Sequence, residues 1–166
     1  MKNIVLIGMP GAGKSTVGVV IAKKLGYRFM DSDLVIQERT GKMLHEIIEE
    51  KGTEGFLTVE GEINASLCCD RTVIATGGSV VYSAKAMEHL KEIGRVVYLQ
   101  LSCEAVAERL GDLQERGVAL KEGQTLRDLY EERTPLYERY ADIILNCEGK
   151  MIREVVAELA ARLDGR

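Results

Sequence analysis

The chain alternates short apolar runs with longer segments in which apolar residues return every three or four positions. Five runs fit β-strands: Asn3–Ile7, Arg28–Met30, Thr72–Ala75, Arg95–Leu101 and Asp142–Asn146. The third and fourth are almost unbroken in their apolarity, as parallel strands covered on both faces must be. Between these runs the helical period predicts Ser15–Leu25, Asp33–Thr40, Leu44–Lys51, Glu54–Cys68, Ser83–Ile93, Cys103–Leu110, Thr125–Tyr140 and Ile152–Leu163. Gly26, Gly41 and Gly52 stand just past three of these segments, where a left-handed residue ends a helix. Ser83 and Ser102 are natural N-caps. Strand and helix alternate with no repeat, low-complexity tract or linker. That pattern predicts an α/β fold, a doubly wound sheet of five parallel strands flanked by helices, as one domain over residues 1–166. In such a sheet, ligands bind beyond the carboxyl ends of the strands.

Two stretches depart from simple alternation. Residues 33–71 spend more chain on helices than one crossover needs, which predicts a substrate-binding helical insertion. Residues 112–123 are polar, contain Gly117 and Gly123 and show little periodicity, which predicts a mobile lid rather than an ordinary loop.

The first strand leads into Gly8-Met9-Pro10-Gly11-Ala12-Gly13-Lys14-Ser15, which fits the phosphate-binding pattern G-x-x-x-x-G-K-[ST] at every fixed position. A strand before it and a helix after it are the setting this chemistry needs. Glycines let the backbone wrap a triphosphate so that several N–H groups, those of Gly11, Ala12 and Gly13 among them, point at one anion. The helix brings its positive end to the same phosphates. Lys14 is expected on the β- and γ-phosphates of ATP and the Ser15 hydroxyl on Mg²⁺.

Further candidates follow the other strands. Asp31-Ser32-Asp33 puts two carboxylates at the end of the second strand. One can hold Mg²⁺ and the other accept a hydrogen bond from a substrate hydroxyl; Asp31 suits the metal side and Asp33 the catalytic one. The competing role for Asp33 is to N-cap the next helix. Thr76-Gly77-Gly78-Ser79 lets backbone approach a ligand closely after the third strand. Arg133-Thr134-Pro135 lies in a helical pattern, where proline would kink the helix and aim Arg133 at an anionic group. Arg116 in the lid and Arg109 before it could each reach ATP, although spacing alone favours a solvated loop arginine for Arg116 and a surface ion pair for Arg109.

The net charge of −4 argues against nucleic acid or an anionic membrane as the main partner, since both need a basic face. A small phosphorylated ligand needs only local positive charge. The first apolar run is five residues, no stretch approaches a membrane span, and a cytoplasmic monomer is expected. Cys68, Cys69, Cys103 and Cys147 lack C-x-x-C spacing and His45 and His89 lie apart, so reduced thiols are expected rather than a zinc site.

Taken together, these segments resemble the shikimate kinase family over almost the whole chain. Gly8-x-x-Gly11-x-Gly13-Lys14-Ser15-Thr16 matches its phosphate loop, Phe29-Met30-Asp31-Ser32-Asp33 its Asp-x-Asp segment, and Phe56 and Glu60 two fixed points of its Phe-Arg-x-x-Glu. Thr76-Gly77-Gly78 opens its glycine triplet, and Arg133-x-Pro135-x-Tyr137 matches its Arg-x-Pro-x-Tyr. The resemblance implies a nucleoside monophosphate kinase-like fold. It also implies transfer of the γ-phosphate of ATP to the 3-hydroxyl of shikimate, with Mg²⁺ and a closing lid. It places Thr16 with the nucleotide, and Asp33, Gly77, Gly78 and Arg133 with the acceptor. Three positions depart from the family pattern. Leu57 stands where the family has the arginine that holds the shikimate carboxylate. Ser79 ends the glycine triplet, and Arg116-Gly117-Val118-Ala119 replaces Arg-Pro-Leu-Leu. Without that arginine, weak shikimate binding is expected, with Leu57 and Ser79 as part of an altered acceptor site. The alternatives are a kinase of the same fold for another hydroxylated metabolite and, in a different class, a nucleotide-binding regulator without transferase activity. A GTP switch is disfavoured by the lack of an Asn-Lys-x-Asp segment.

Overall fold

The computed structural model describes residues 2–110 and 123–165. Five strands, β1 (Asn3–Ile7), β2 (Arg28–Asp31), β3 (Thr72–Ala75), β4 (Gly94–Gln100) and β5 (Ile143–Asn146), form one sheet in the order β2-β3-β1-β4-β5. All pairs are parallel, with Val5 of β1 opposite Ile74 of β3 and Val96 of β4. Every residue of β1 and β3 is buried, because helices cover both faces of the centre of a parallel sheet. The helices are α1 (Lys14–Leu25), α2 (Ser32–Thr40), α3 (Leu44–Ala65), α4 (Ala84–Ile93), α5 (Cys103–Arg109), α6 (Leu126–Tyr140) and α7 (Ile152–Asp164). The main core gathers the inner strands with residues such as Val17, Ile21, Met87, Leu90, Leu129 and Leu159 from the helices. Among the described residues no helix is long and apolar enough to cross a membrane.

Asn3 shows how the sheet is set at its base. Its buried side chain donates to the carbonyls of Cys69 and Ile93 and accepts from the Thr72 N–H. One amide therefore ties the start of β1 to the entries of β3 and β4 and satisfies backbone groups that would otherwise be buried unpaired.

The expected elements stand with three adjustments. The two helices expected on either side of Gly52 are joined end to end as α3, with Gly52 alone outside helical geometry at φ 74° and ψ 175°. Glycine reaches that left-handed φ without a Cβ penalty. The second piece ends at Ala65, short of Cys68. There the Ser66 hydroxyl donates back to the Ile63 carbonyl and accepts from Arg39, so a side chain takes over the helix end. A 3-10 turn over Val80–Tyr82 intervenes between β3 and α4, shorter than any periodicity can reveal. A second, smaller apolar cluster of Ile36, Ile47 and Phe56 joins α2 to α3. The segment read as a lid, and Arg116 within it, falls almost wholly on residues 111–122, outside the described residues.

Candidate active site

The carboxyl ends of β1, β2 and β3 open together into a cavity of about 480 Å³. Its walls come from the loop after β1 (Pro10, Gly11, Gly13, Lys14, Ser15, Thr16), from Asp31 and Asp33, from Leu44, Phe56 and Glu60 of α3, from Thr76-Gly77-Gly78-Ser79, and from Arg133 of α6.

The loop after β1 is wound by Gly8, Gly11 and Gly13, at φ 147°, 79° and 93°. Gly13 is the residue before α1, so the first turn of that helix, including Lys14 and Ser15, opens on the cavity. This is the anion-binding arrangement of a helix N-terminus. Lys14 is nearly buried and curls back, its Nζ donating to the Gly8 and Met9 carbonyls at 2.6 and 2.8 Å. Burial lowers its pKa to about 8, against the opposing pull of Asp33. Ala12 is buried, and its N–H is taken by the Met9 carbonyl. That hydrogen bond holds the shape of the loop from within. Arg109 reaches the loop from α5, its guanidinium donating to the Gly11 carbonyl at 3.3 Å.

The two aspartates separate into different roles. Asp31 caps α2, its Oδ1 accepting from the Asp33 N–H, while its Oδ2 accepts from the Ser15 hydroxyl at 3.2 Å. The helix-capping job considered for Asp33 thus belongs to Asp31. Asp33 Oδ1 is buried with no hydrogen-bond partner. Burial first, and the nearby Asp31 charge second, raise the Asp33 pKa to about 6, with Lys14 opposing.

Gly77 and Gly78 are glycines because neighbours occupy the space a side chain would take. A Cβ on Gly77 would lie 2.7 Å from both Asp33 Oδ1 and Glu60 Oε2. One on Gly78 would lie 2.8 Å from an Arg133 nitrogen. Arg133 is 1% exposed. Its guanidinium sits over the Tyr82 ring, 5.4 Å from the centroid, and donates to the Tyr82 hydroxyl. One turn further along α6, the Tyr137 hydroxyl donates to the Gly78 carbonyl at 2.6 Å. The α6 helix is thereby clasped to the loop after β3, with Pro135 inside it.

Leu57 lies elsewhere than expected. It is partly buried against the cluster of Ile36, Ile47 and Phe56 and is not among the cavity's lining residues. An apolar side chain gains more from that cluster than from a polar wall. Ser79 does line the cavity and donates to Glu60 Oε1. The residue that reading from spacing left without a role is Glu60, 1% exposed. Its signal lay in the helical period: Phe56, Glu60 and Asn64 form one buried stripe of α3, and an acidic residue on a buried stripe needs a reason. Burial raises its pKa to about 7, although the Ser79 hydrogen bond pulls the other way.

The site therefore holds a phosphate loop, an oxygen pair (Ser15 and Asp31) suited to a hard cation, an unpartnered carboxylate and a buried guanidinium. That is equipment for phosphoryl transfer to a small anionic acceptor. Known proteins agree with it. A shikimate kinase from Persephonella marina is 37% identical over 164 residues, covering 98% of this chain and 99% of its own. One from Pseudomonas paraeruginosa is 40% identical over 166 residues, with 98% and 96% covered. Among solved structures, the shikimate kinase from Acinetobacter baumannii in complex with shikimate superposes with a TM-score of 0.84 at 31% identity, over 99% of this chain and 94% of its own. That from Aquifex aeolicus gives 0.78 at 31% identity, over 98% and 96%. The family model described as shikimate kinase matches residues 10–164, from the phosphate loop through the last helix, and the chain belongs to the shikimate kinase family.

Proposed function

We propose that this protein transfers the γ-phosphate of ATP to the 3-hydroxyl of shikimate. The observation that carries the reading is Asp33 Oδ1, buried and unpartnered in a cavity that the phosphate loop also lines. The acceptor hydroxyl donates to that oxygen, which orients it and takes its proton as the new P–O bond forms. Lys14 leaves the Gly8 and Met9 carbonyls for the phosphates, exchanging two neutral acceptors for charged ones. The N–H groups of the loop and the first turn of α1 hold the rest of the phosphate chain. Ser15 and Asp31 would hold Mg²⁺, which when bound spreads the charge of the transferring group. Arg133 takes the acceptor's carboxylate. Arg109 lies against the nucleotide side of the loop, and Arg116, outside the described residues, is the further cation assigned to the transferring phosphate. Four free cysteines fit a reducing compartment such as the cytoplasm.

The test is ATP turnover against shikimate and a panel of small hydroxy acids and polyols. Shikimate is expected to give the highest kcat/KM. A folded Lys14→Ala variant is expected to lose turnover. Near-normal rates in that variant, or preference for an uncharged polyol, refute the assignment.

A further inference from the structure

Glu60 and Ser79 form a unit that the mechanism above does not use. Glu60 comes from the second piece of α3 and Ser79 from the loop after β3. Ser79 Oγ donates to Glu60 Oε1 at 2.5 Å, which leaves Glu60 Oε2 as the second unpartnered carboxylate oxygen in the cavity. Glu60 is 1% exposed and cannot relieve that atom by turning to bulk water. The oxygen is also aimed. Glu60 Oε2 and Asp33 Oδ1 each lie 2.7 Å from the single point that a Cβ on Gly77 would occupy. Two carboxylate oxygens, on different elements, thus converge over one glycine. Such a pair repels itself and is costly to bury unless a donor comes between or across it.

We propose that Glu60, held by Ser79, is a specificity-determining residue for the acceptor: its Oε2 accepts a hydrogen bond from the hydroxyl adjacent to the one phosphorylated. The proposal rests on the shikimate reading, in which Asp33 takes the 3-hydroxyl, so the group read by Glu60 is the neighbouring 4-hydroxyl. Two adjacent hydroxyls on one ring present two donors side by side to two acceptors that converge on one point. A hydroxyl also suits Glu60 in either state, donating to the carboxylate and accepting from the neutral acid. Ser79 stands where the family pattern has a third glycine. Here its hydroxyl fixes the carboxyl so that only one oxygen is left to face the ligand.

The deciding experiment compares shikimate with its 4-deoxy analogue in the intact protein. Wild-type kcat/KM is expected to fall at least about tenfold for the analogue, since a site built to bind a hydroxyl rejects a ligand that lacks it. In Glu60→Gln, where an amide donor replaces the free oxygen, that discrimination is expected to shrink to within about threefold. KM for shikimate should rise about tenfold or more, with KM for ATP unchanged. Ser79→Gly should give an intermediate rise in KM for shikimate. Equal use of both compounds by the wild-type protein overturns the proposal and leaves the shikimate reading intact. So does a Glu60→Gln variant that still discriminates as the wild type does. Turnover of neither compound by the wild-type protein overturns the shikimate reading and the proposal with it. Ser79→Gly, which frees the glutamate without removing it, should likewise narrow the discrimination between the two acceptors, and unchanged discrimination in that variant overturns the proposal.

Discussion

Replacing Glu60 by Gln should make the protein gain stability relative to wild type as pH rises, while it harms acceptor binding. In the folded protein burial raises this carboxyl from an ordinary 4.5 to about 7. Between those two values the folded chain keeps a proton that the unfolded chain has lost. Stability contributed by the protonated acid is therefore full below about pH 4.5 and falls as pH rises. It is gone once pH passes about 7. At about 1.4 kcal/mol per pH unit over that interval, the loss is about 3 kcal/mol, a large share of the stability of a chain this size. Glutamine has nearly the same shape, can still accept from Ser79 and does not titrate. Any fixed cost of burying its amide is independent of pH. The stability of Glu60→Gln relative to wild type should accordingly rise by about 3 kcal/mol between pH 4.5 and pH 8. Asp33 titrates in both proteins, and its repulsion of the Glu60 charge is already contained in the raised pKa of the glutamate. Urea unfolding of both proteins across that pH range measures it, provided the slopes with denaturant agree. A stability difference that stays flat within about 1 kcal/mol refutes the reasoning. It would mean that Lys14 and Arg133 stabilise the Glu60 charge as fully as water does.

Two further substitutions probe the same cavity. Asp33→Asn keeps the shape but removes the charge: kcat should fall by about a hundredfold or more with no loss of thermal stability, because the helix cap resides on Asp31. The wild-type kcat/KM should rise as Asp33 ionises near pH 6 and fall as Lys14 loses its proton near pH 8; Asp33→Asn should flatten the acid limb alone, and an unchanged limb would assign it to another group. Gly77→Ala places a methyl 2.7 Å from both free carboxylate oxygens; acceptor binding measured by calorimetry should be lost while nucleotide binding persists, and normal acceptor affinity would show that the two oxygens do not converge on the ligand.

Some of this site was legible in the sequence because it is local. The phosphate loop, its strand and its helix occupy consecutive residues, so their geometry follows from glycine positions and periodicity alone. The strands were equally plain, since β1, β3 and β4 are apolar almost throughout. The division of labour between Asp31 and Asp33 was not legible. Spacing permits either to cap α2, and only the three-dimensional path of the chain gives the cap to Asp31 and leaves Asp33 Oδ1 free. Leu57 shows the same limit from the other side. It adjoins Phe56, which lines the cavity, but one step along a helix turns a side chain by about 100°. That rotation carries Leu57 away from the cavity lining and onto the apolar cluster between α2 and α3. The Glu60–Ser79 hydrogen bond joins residues nineteen apart on two elements, a distance no local pattern spans.

The charges of the cavity also limit what can bind there. Lys14 and Arg133 supply two buried cations, while Asp33 and Glu60 supply two carboxyls whose affinity for protons is raised. ATP brings further negative charge to Lys14 and strengthens the proton affinity of both acids. An acceptor must then do two things at once. It must offer hydroxyl donors to Asp33 and Glu60, and an anion to Arg133. A polyol without a carboxylate brings no anion to the guanidinium, and a carboxylate without adjacent hydroxyls leaves the Asp33 and Glu60 oxygens buried and unpaired. Each omission costs about 1–3 kcal/mol, enough to separate a true acceptor from a near relative by one to two orders of magnitude. Shikimate, with a carboxylate and adjacent hydroxyls on one rigid ring, meets both demands without ordering a flexible chain. In the proposed function, with leucine at position 57, Arg133 is therefore the anchor of the carboxylate, and selectivity for the ring rests on the hydroxyls that meet Asp33 and Glu60.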